Sequence, residues 1–338
     1  MNRQQDSMIG NSAALAFALQ RVSQVAAINR PIIIYGERGT GKELIAERLH
    51  YLSPRWEAPF LKVNCAALSE QLLDSELFGH ESGAFTGATS TRAGRFERAD
   101  GGTLFLDEVA TMSTALQEKL LRLVEYGEYE RLGGQKTLQV DVRIIAATHT
   151  DLRAMARDNN FREDLLDRLS FDVIHVPALS QRTEDIEELA QHFAVQMCGE
   201  LGWELFAGFT PQAIEALNAH HWPGNVRELK NVVERSVYRW ADPNSAVAEV
   251  IIDAFQSPFA SPEPKLALTT GDKVVRDEPA PVSFTQQVES LEKQLLQKAL
   301  NQYANNQRRT AEALGLSYDQ LRGMIRKYNL STRKRRAA

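Results

Sequence analysis

The sequence predicts an α/β fold built on a parallel sheet, followed by an all-helical region and a small all-α domain near the C-terminus. Three observations predict it. A short β-branched run, Pro31-Ile32-Ile33-Ile34-Tyr35, leads into Gly36-Glu37-Arg38-Gly39-Thr40-Gly41-Lys42-Glu43 and then into a helix-periodic stretch ending at His50. Strand-like and helix-like segments keep alternating as far as Ala147, the pattern of a parallel sheet with crossover helices. After Pro177 strand-like runs stop.

Taken in order, residues from about 12 to 28 carry Leu15, Leu19, Val22 and Val25 at helical spacing. The glycine loop follows. Phe60–Val63, Thr103–Leu106 and Val140–Ala147 read as strands, and Leu116–Tyr126 reads as a helix. Helices are predicted near 183–199, 211–220 and 225–240, the second opened by Thr210-Pro211, an N-cap with proline at the first helical position. Five prolines between 258 and 281, among Ser, Thr, Gly and charges, read as a linker. The expected domains are 1–176 (α/β core), 177–253 (helical subdomain), 254–284 (linker) and 285–338 (C-terminal all-α domain).

At 338 residues the chain has room for two or three domains, and 43% hydrophobic with 25% charged residues is ordinary for a globular protein. The formal net charge of -5 means that any nucleic-acid affinity comes from a local patch. Two cysteines, Cys65 and Cys198, argue for a reducing compartment without a disulfide framework. No apolar run reaches the roughly 18 residues of a membrane span, and Met1–Gly10 lacks a signal-peptide core, so the expected location is cytoplasmic. No sensory domain precedes the glycine loop, so control is expected in trans or through expression.

Strand, glycine loop and helix form the context of a phosphate-binding loop. Glycines let several N–H groups converge, the helix N-terminus adds partial positive charge, and Lys42 reaches the β- and γ-phosphates of ATP. Glu43 stands where Ser or Thr usually holds Mg²⁺; its carboxylate is expected to serve the metal directly or through water. About 65 residues on, the apolar run Thr103–Leu106 ends in Asp107 and Glu108, which we assign to the metal and to the attacking water. Thr148, at the end of a later strand, is expected near the γ-phosphate. Asn64 is either a turn residue or a partner that holds Glu108 away from the water. Arg162 and Arg168 have acidic neighbours, so each is either a surface ion-pair member or an arginine finger for a neighbouring subunit.

The C-terminal block reads as an amphipathic helix over Val288–Leu300, a short helix from Arg308 to Leu314 stopped by Gly315, and a helix over Tyr318–Tyr328 capped by Ser317. Arg308, Arg309, Arg322, Arg326 and Lys327, then Arg333–Arg336, make a basic patch in an acidic chain. Tyr318, Gln320, Arg322 and Gly323 stand where a recognition helix reads base edges, with Ser317 at its start.

Gly83-Ala84-Phe85-Thr86-Gly87-Ala88, the flanking Glu76–Glu81 and the later Trp222–Leu229 resemble the signatures of the bacterial enhancer-binding proteins, AAA+ ATPases that activate sigma-54 RNA polymerase. The resemblance covers about 8–240 and extends to the C-terminal block, which resembles a Fis-type helix-turn-helix. It implies an AAA+ core with a helical lid, a homo-hexamer with ATP sites between subunits, and enhancer double-stranded DNA and sigma-54 holoenzyme as partners. It implies that Gly83–Ala88 contacts sigma-54, that Asn64 is a glutamate-switch residue, that Thr148 and Arg227 are sensors, and that Arg162 and Arg168 act in trans. His149 departs from the family's Asn and is given no role. Within the family the chain resembles the phage shock branch, which implies phage shock protein A as inhibitor. Trp56 is the docking candidate or, alternatively, a packing residue on the P-loop helix. Gly133-Gly134-Gln135-Lys136 is expected as a second loop between a helix and a strand. The rival readings are another DNA-associated AAA+ remodeller and a non-catalytic ATP-responsive DNA-binding regulator.

Overall fold

The computed structural model describes residues 8–254 and 306–328, together with 289, 292–293, 295–300 and 303. The linker expected after Ala254 and the Arg333–Arg336 run lie outside the described residues. The chain forms two compact units, Met1–Phe259 and Ala260–Ala338.

In the first unit five strands make a parallel sheet: β1 (Ile32–Tyr35), β2 (Phe60–Asn64), β5 (Thr103–Asp107), β8 (Arg143–Thr148) and β9 (Asp172–His175), in the order β2-β5-β8-β1-β9. Both faces are covered, which is why the strands read as continuous apolar runs. Alternate residues divide between the two faces. Ile32, Ile34, Phe105 and Ile145 pack under α1 (Ala13–Ala26) and α2 (Lys42–Tyr51). Ile33, Leu104, Leu106 and Ile144 pack under α3 (Glu70–Phe78), α5 (Thr114–Tyr126) and α7 (Glu163–Leu169). Short helices α4 (Arg95–Arg98) and α6 (Leu152–Arg157) complete this layer.

α1 is tied down at both ends. Ser12 caps its first turn through the Leu15 N–H, and the buried Arg143 guanidinium donates to the carbonyl oxygens of Ala26 (2.7 Å) and Val25 (3.1 Å). A cation at a helix C-terminus is favourable. Burial, and then the nearby Arg55, push the Arg143 pKa down to about 10.

Three helices, α8 (Asp185–Glu200), α9 (Pro211–Ala219) and α10 (Asn225–Trp240), bury a separate core around Trp222, Leu189, Phe193, Leu229 and Val233. Thr210 caps α9 by accepting from the Ala213 N–H, with Pro211 in its first turn.

Two antiparallel pairs were not foreseen: β3 (Gly79–His80) with β4 (Arg92–Ala93), and β6 (Glu128–Glu130) with β7 (Thr137–Gln139). Strands this short carry no readable alternation. Gly133–Lys136 therefore lies inside a hairpin, not between a helix and a strand.

In the second unit, α11 (Gln307–Ala313) and α12 (Tyr318–Lys327) pack Ala311, Leu321 and Ile325 against Leu296 and Leu300.

Candidate nucleotide-hydrolysis site

The glycine loop joins β1 to α2 at the carboxyl end of the sheet. The Gly36 N–H donates to the Thr148 carbonyl of β8 (3.2 Å), which fixes the start of the loop. Lys42 folds back across it, donating to the carbonyl oxygens of Gly36 (2.9 Å) and Glu37 (3.0 Å). Thr40 Oγ1 also donates to Glu37 O. The α2 N-cap, Gly41, makes no side-chain cap. Backbone N–H groups at the start of α2 and the Lys42 ammonium thus form an anion cradle. Burial lowers the Lys42 pKa, and the carboxylates of Glu108 and Asp107 work against that shift.

Asp107 ends β5 in register with Asn64, which ends β2. Asn64 Nδ2 donates to Asp107 Oδ2 (3.2 Å), and the Glu108 N–H donates to Asp107 Oδ1 (3.0 Å). Burial, then the neighbouring Glu108, raise the Asp107 pKa. Glu108 itself has a left-handed backbone, φ 54°, uncommon for a residue with a Cβ and found where surroundings impose it. Its carboxylate lies 2.6 Å from His149 Nδ1 and 4.0 Å from Arg38 Nε. Of the two expectations for Asn64, the turn role has its bond here: Asn64 Oδ1 accepts from the Ala66 N–H (2.9 Å). Its Nδ2 goes to Asp107, because strand register sets those two side by side, and in this structure Glu108 is taken by His149. Sequence reasoning passed over His149; its place one residue beyond the β8 end was the only available signal.

Glu43 forms an ion pair with Lys62 (2.7 Å), which also holds Glu47. Among the described residues no group of three or more His, Cys, Asp or Glu could hold a metal. What the core does offer is the Asp107 carboxylate beside an anion cradle. Mg²⁺ characteristically takes one or two carboxylates together with substrate phosphates, so the donor set fits that ion.

The other candidates fall in several places. Thr148 is fully buried, and its hydroxyl is engaged with Thr150 through the Thr150 N–H (3.0 Å) and carbonyl (3.3 Å). Arg162 pairs with Asp164 (2.7 Å) and Arg168 with Glu125 (2.8 Å). The exposed Arg227 lies close enough to depress the Lys42 pKa. Trp56 is 56% exposed, which removes the packing alternative for its side chain.

The Gly83–Ala88 loop is closed by the Gly83 N–H on Ala88 O (2.7 Å) and the Ala88 N–H on Phe85 O (3.0 Å). Gly83 and Gly87 have φ of +85° and +108°, a region closed to most side chains. Phe85 is half-buried with its ring edge-to-face on His80 (5.1 Å), whereas Thr86 is exposed. Gly133 of the neighbouring hairpin comes so close that an added Cβ would stand 2.8 Å from Ala84 Cβ. The two loops are in contact.

In the second unit the Ser317 hydroxyl accepts from the Gln320 N–H while Gln320 Oε1 accepts from the Ser317 N–H, a reciprocal capping box that starts α12. Gln320 is thus engaged locally. Arg308, Arg309, Arg322, Gly323 and Arg326 are exposed, as is Tyr318, whose hydroxyl reaches Gln307 (3.4 Å). Lys327 is drawn to Tyr328 OH (2.8 Å) and Glu289 (3.5 Å).

Comparison with known proteins accounts for each of these regions. Residues 8–175 match the Sigma-54 interaction domain, 180–257 the AAA+ ATPase lid domain, and 287–328 the bacterial regulatory protein Fis family. The Psp operon transcriptional activator of Escherichia coli (strain K12) is 51% identical over 330 residues, 98% of this chain and 100% of that protein. The E. coli regulatory protein AtoC is 41% identical, over 96% of this chain and 68% of that protein. Among solved structures, NtrX from Brucella abortus in complex with ATP superposes with a TM-score of 0.70 at 34% identity, covering 96% of this chain and 70% of that one. The chain belongs to the sigma-54-dependent transcriptional activators, in which an AAA+ P-loop ATPase core with its lid is joined to a Fis-type helix-turn-helix.

Proposed function

We propose that the protein is a cytoplasmic, hexamer-forming ATPase that binds an enhancer and uses ATP hydrolysis to open the closed sigma-54 holoenzyme–promoter complex. Its target on this reading is the phage shock operon. The observation that carries it is the Gly83–Ala88 loop. An exposed Thr86 stands on a glycine-bounded turn in the same unit as the P-loop, made of residues with no part in phosphate chemistry. The end-to-end similarity to the Psp operon transcriptional activator supports the choice of operon and, with the exposed Trp56, a phage shock protein A docking surface.

Lys42 and the α2 N-terminus hold the phosphates, Asp107 would hold Mg²⁺, and Glu108 orients the attacking water. Mg²⁺ held there by Asp107 would supply neutralisation of charge on the phosphate oxygens. Arg162, the N-cap of α7, and Arg168, in its last turn, lie outside this cluster, consistent with donation to the neighbouring subunit. A loop couples hydrolysis to its target only when it contacts that target differently in two nucleotide states. Thr86→Ala is therefore expected to leave ATP turnover largely intact while open-complex formation collapses. Both are measured on one preparation, with Lys42→Ala as the turnover-dead control. Normal promoter opening per ATP hydrolysed in Thr86→Ala would overturn the coupling role.

A further inference from the structure

The lid grips the P-loop by its carbonyl groups. Asn225, first residue of α10, is 1% exposed and has a left-handed φ of 53°. Its Nδ2 donates to Arg38 O (3.0 Å) and to Glu37 Oε2 (2.9 Å), while its Oδ1 accepts from the Leu179 N–H (2.7 Å). The Arg227 N–H donates to Gly39 O (3.3 Å). Arg182, 1% exposed, donates through Nη2 to Thr40 O (3.1 Å), and its Nε is without a hydrogen-bond partner. The backbones meet so closely that a Cβ on Gly39 would stand 2.3 Å from Gly224 O.

Three successive loop carbonyls, those of Arg38, Gly39 and Thr40, are thus held by the lid. A run of peptides whose oxygens are fixed on one side presents its N–H groups on the other, and convergent N–H groups are what bind phosphate. Burying a guanidinium is costly unless it is well bonded. Arg182 accepts that cost at the one place where it holds the loop. We propose that Asn225, seconded by Arg182, is a positioning residue for ATP binding: from the lid it fixes the peptides of Glu37–Thr40 in their phosphate-binding orientation. The nucleotide affinity of the loop then depends on the seating of the lid.

The test uses the full chain, with a fluorescent ATP analogue for equilibrium binding and steady-state ATP turnover. Asn225→Asp keeps the size and the Leu179 contact but removes both donors and sets a carboxylate against Glu37. It is expected to raise Kd and KM about tenfold or more, the scale of a lost hydrogen bond to a charged group, with a smaller change in kcat. Adding Glu37→Gln, whose amide can donate to the new carboxylate, is expected to relieve the repulsion but not the lost bond to Arg38 O, so part of the loss persists. Unchanged Kd and KM, or complete recovery with Glu37→Gln, would overturn the proposal. Should Asn225→Asp fail to fold, Arg182→Met against Arg182→Lys decides. Weakened binding restored by Lys supports the grip, and equal affinity in both sinks it. The inference rests on ATP use by the core and not on what hydrolysis drives. Loss of promoter opening with normal nucleotide binding would count against the proposed function and leave the grip intact.

Discussion

His149 Nδ1 lies 2.6 Å from Glu108 Oε2. The carboxylate assigned to the attacking water is thus in the hands of a side chain just beyond the end of the neighbouring strand, β8. A carboxylate accepts, so the imidazole donates from Nδ1. Held in this way, Glu108 has one oxygen fewer for orienting water. His149→Ala is expected to raise basal ATP turnover about three- to tenfold, within the range of one hydrogen bond to a charged group. ATP affinity should stay unchanged. A fall in kcat would mean that His149 instead assists Glu108 during hydrolysis. Glu108→Ala should bind ATP yet turn it over orders of magnitude more slowly, since a water-orienting group acts in the transition state.

Arg162 and Arg168 have acidic partners on α5 and α7 of their own chain. Exposed pairs of this kind contribute about 0–1 kcal/mol, so releasing them to a neighbouring subunit costs little. Mixing an Arg168→Ala chain with a Lys42→Ala chain should restore part of the turnover that each lacks alone. One class of mixed interface then joins an intact P-loop to an intact arginine. Absence of rescue in mixed rings shown to form would assign Arg168 a role within its own subunit.

On α12 the roles of neighbouring residues separate. Arg322 is exposed, and Arg322→Ala should cost about 1–3 kcal/mol at one base position if it reads a base. Ser317→Ala removes the capping hydroxyl and should cost about 1 kcal/mol of helix stability while weakening binding evenly across sequences. Competition binding with a panel of single-base operator variants tells these apart. A uniform loss with Arg322→Ala would mark a phosphate contact.

Cys65 is 3% exposed, and its backbone N–H donates to Asp107 O (2.9 Å). Burial, then the Asp107 and Glu108 charges, push its thiol from an ordinary 9.0 up to about 12. Burial raises the Cys198 thiol as well. A thiol-specific disulfide reagent at pH 8 should label neither cysteine in the native chain and both in urea. The Cys65 pKa is raised on folding, so the stability linked to it is full below the ordinary thiol value. That stability is lost as pH rises from there through about 12. Urea midpoints between pH 8 and pH 10 should fall, and Cys65→Ser should flatten the fall. Rapid native labelling at pH 8 would contradict the burial argument.

The sequence by itself determined the β1–loop–α2 unit, the all-helical stretch after Pro177 and the helix-turn-helix boundaries. Each is set by local chemistry: β-branched runs, glycine spacing, and caps such as Thr210 and Ser317. It also marked Lys42, Asp107 and Glu108 as a group, because a loop and a strand end at that spacing meet at the carboxyl edge of a parallel sheet. Only the tertiary structure decided who touches whom within the group. Strand register put Asn64 beside Asp107, leaving Glu108 to His149 some forty residues further along the chain. The packing of the lid brought Asn225 onto Glu37 and Arg38 across 188 and 187 positions of sequence. Two-residue strands and contacts at that separation leave no periodic trace in the sequence; they exist only once the sheet and the lid core have closed.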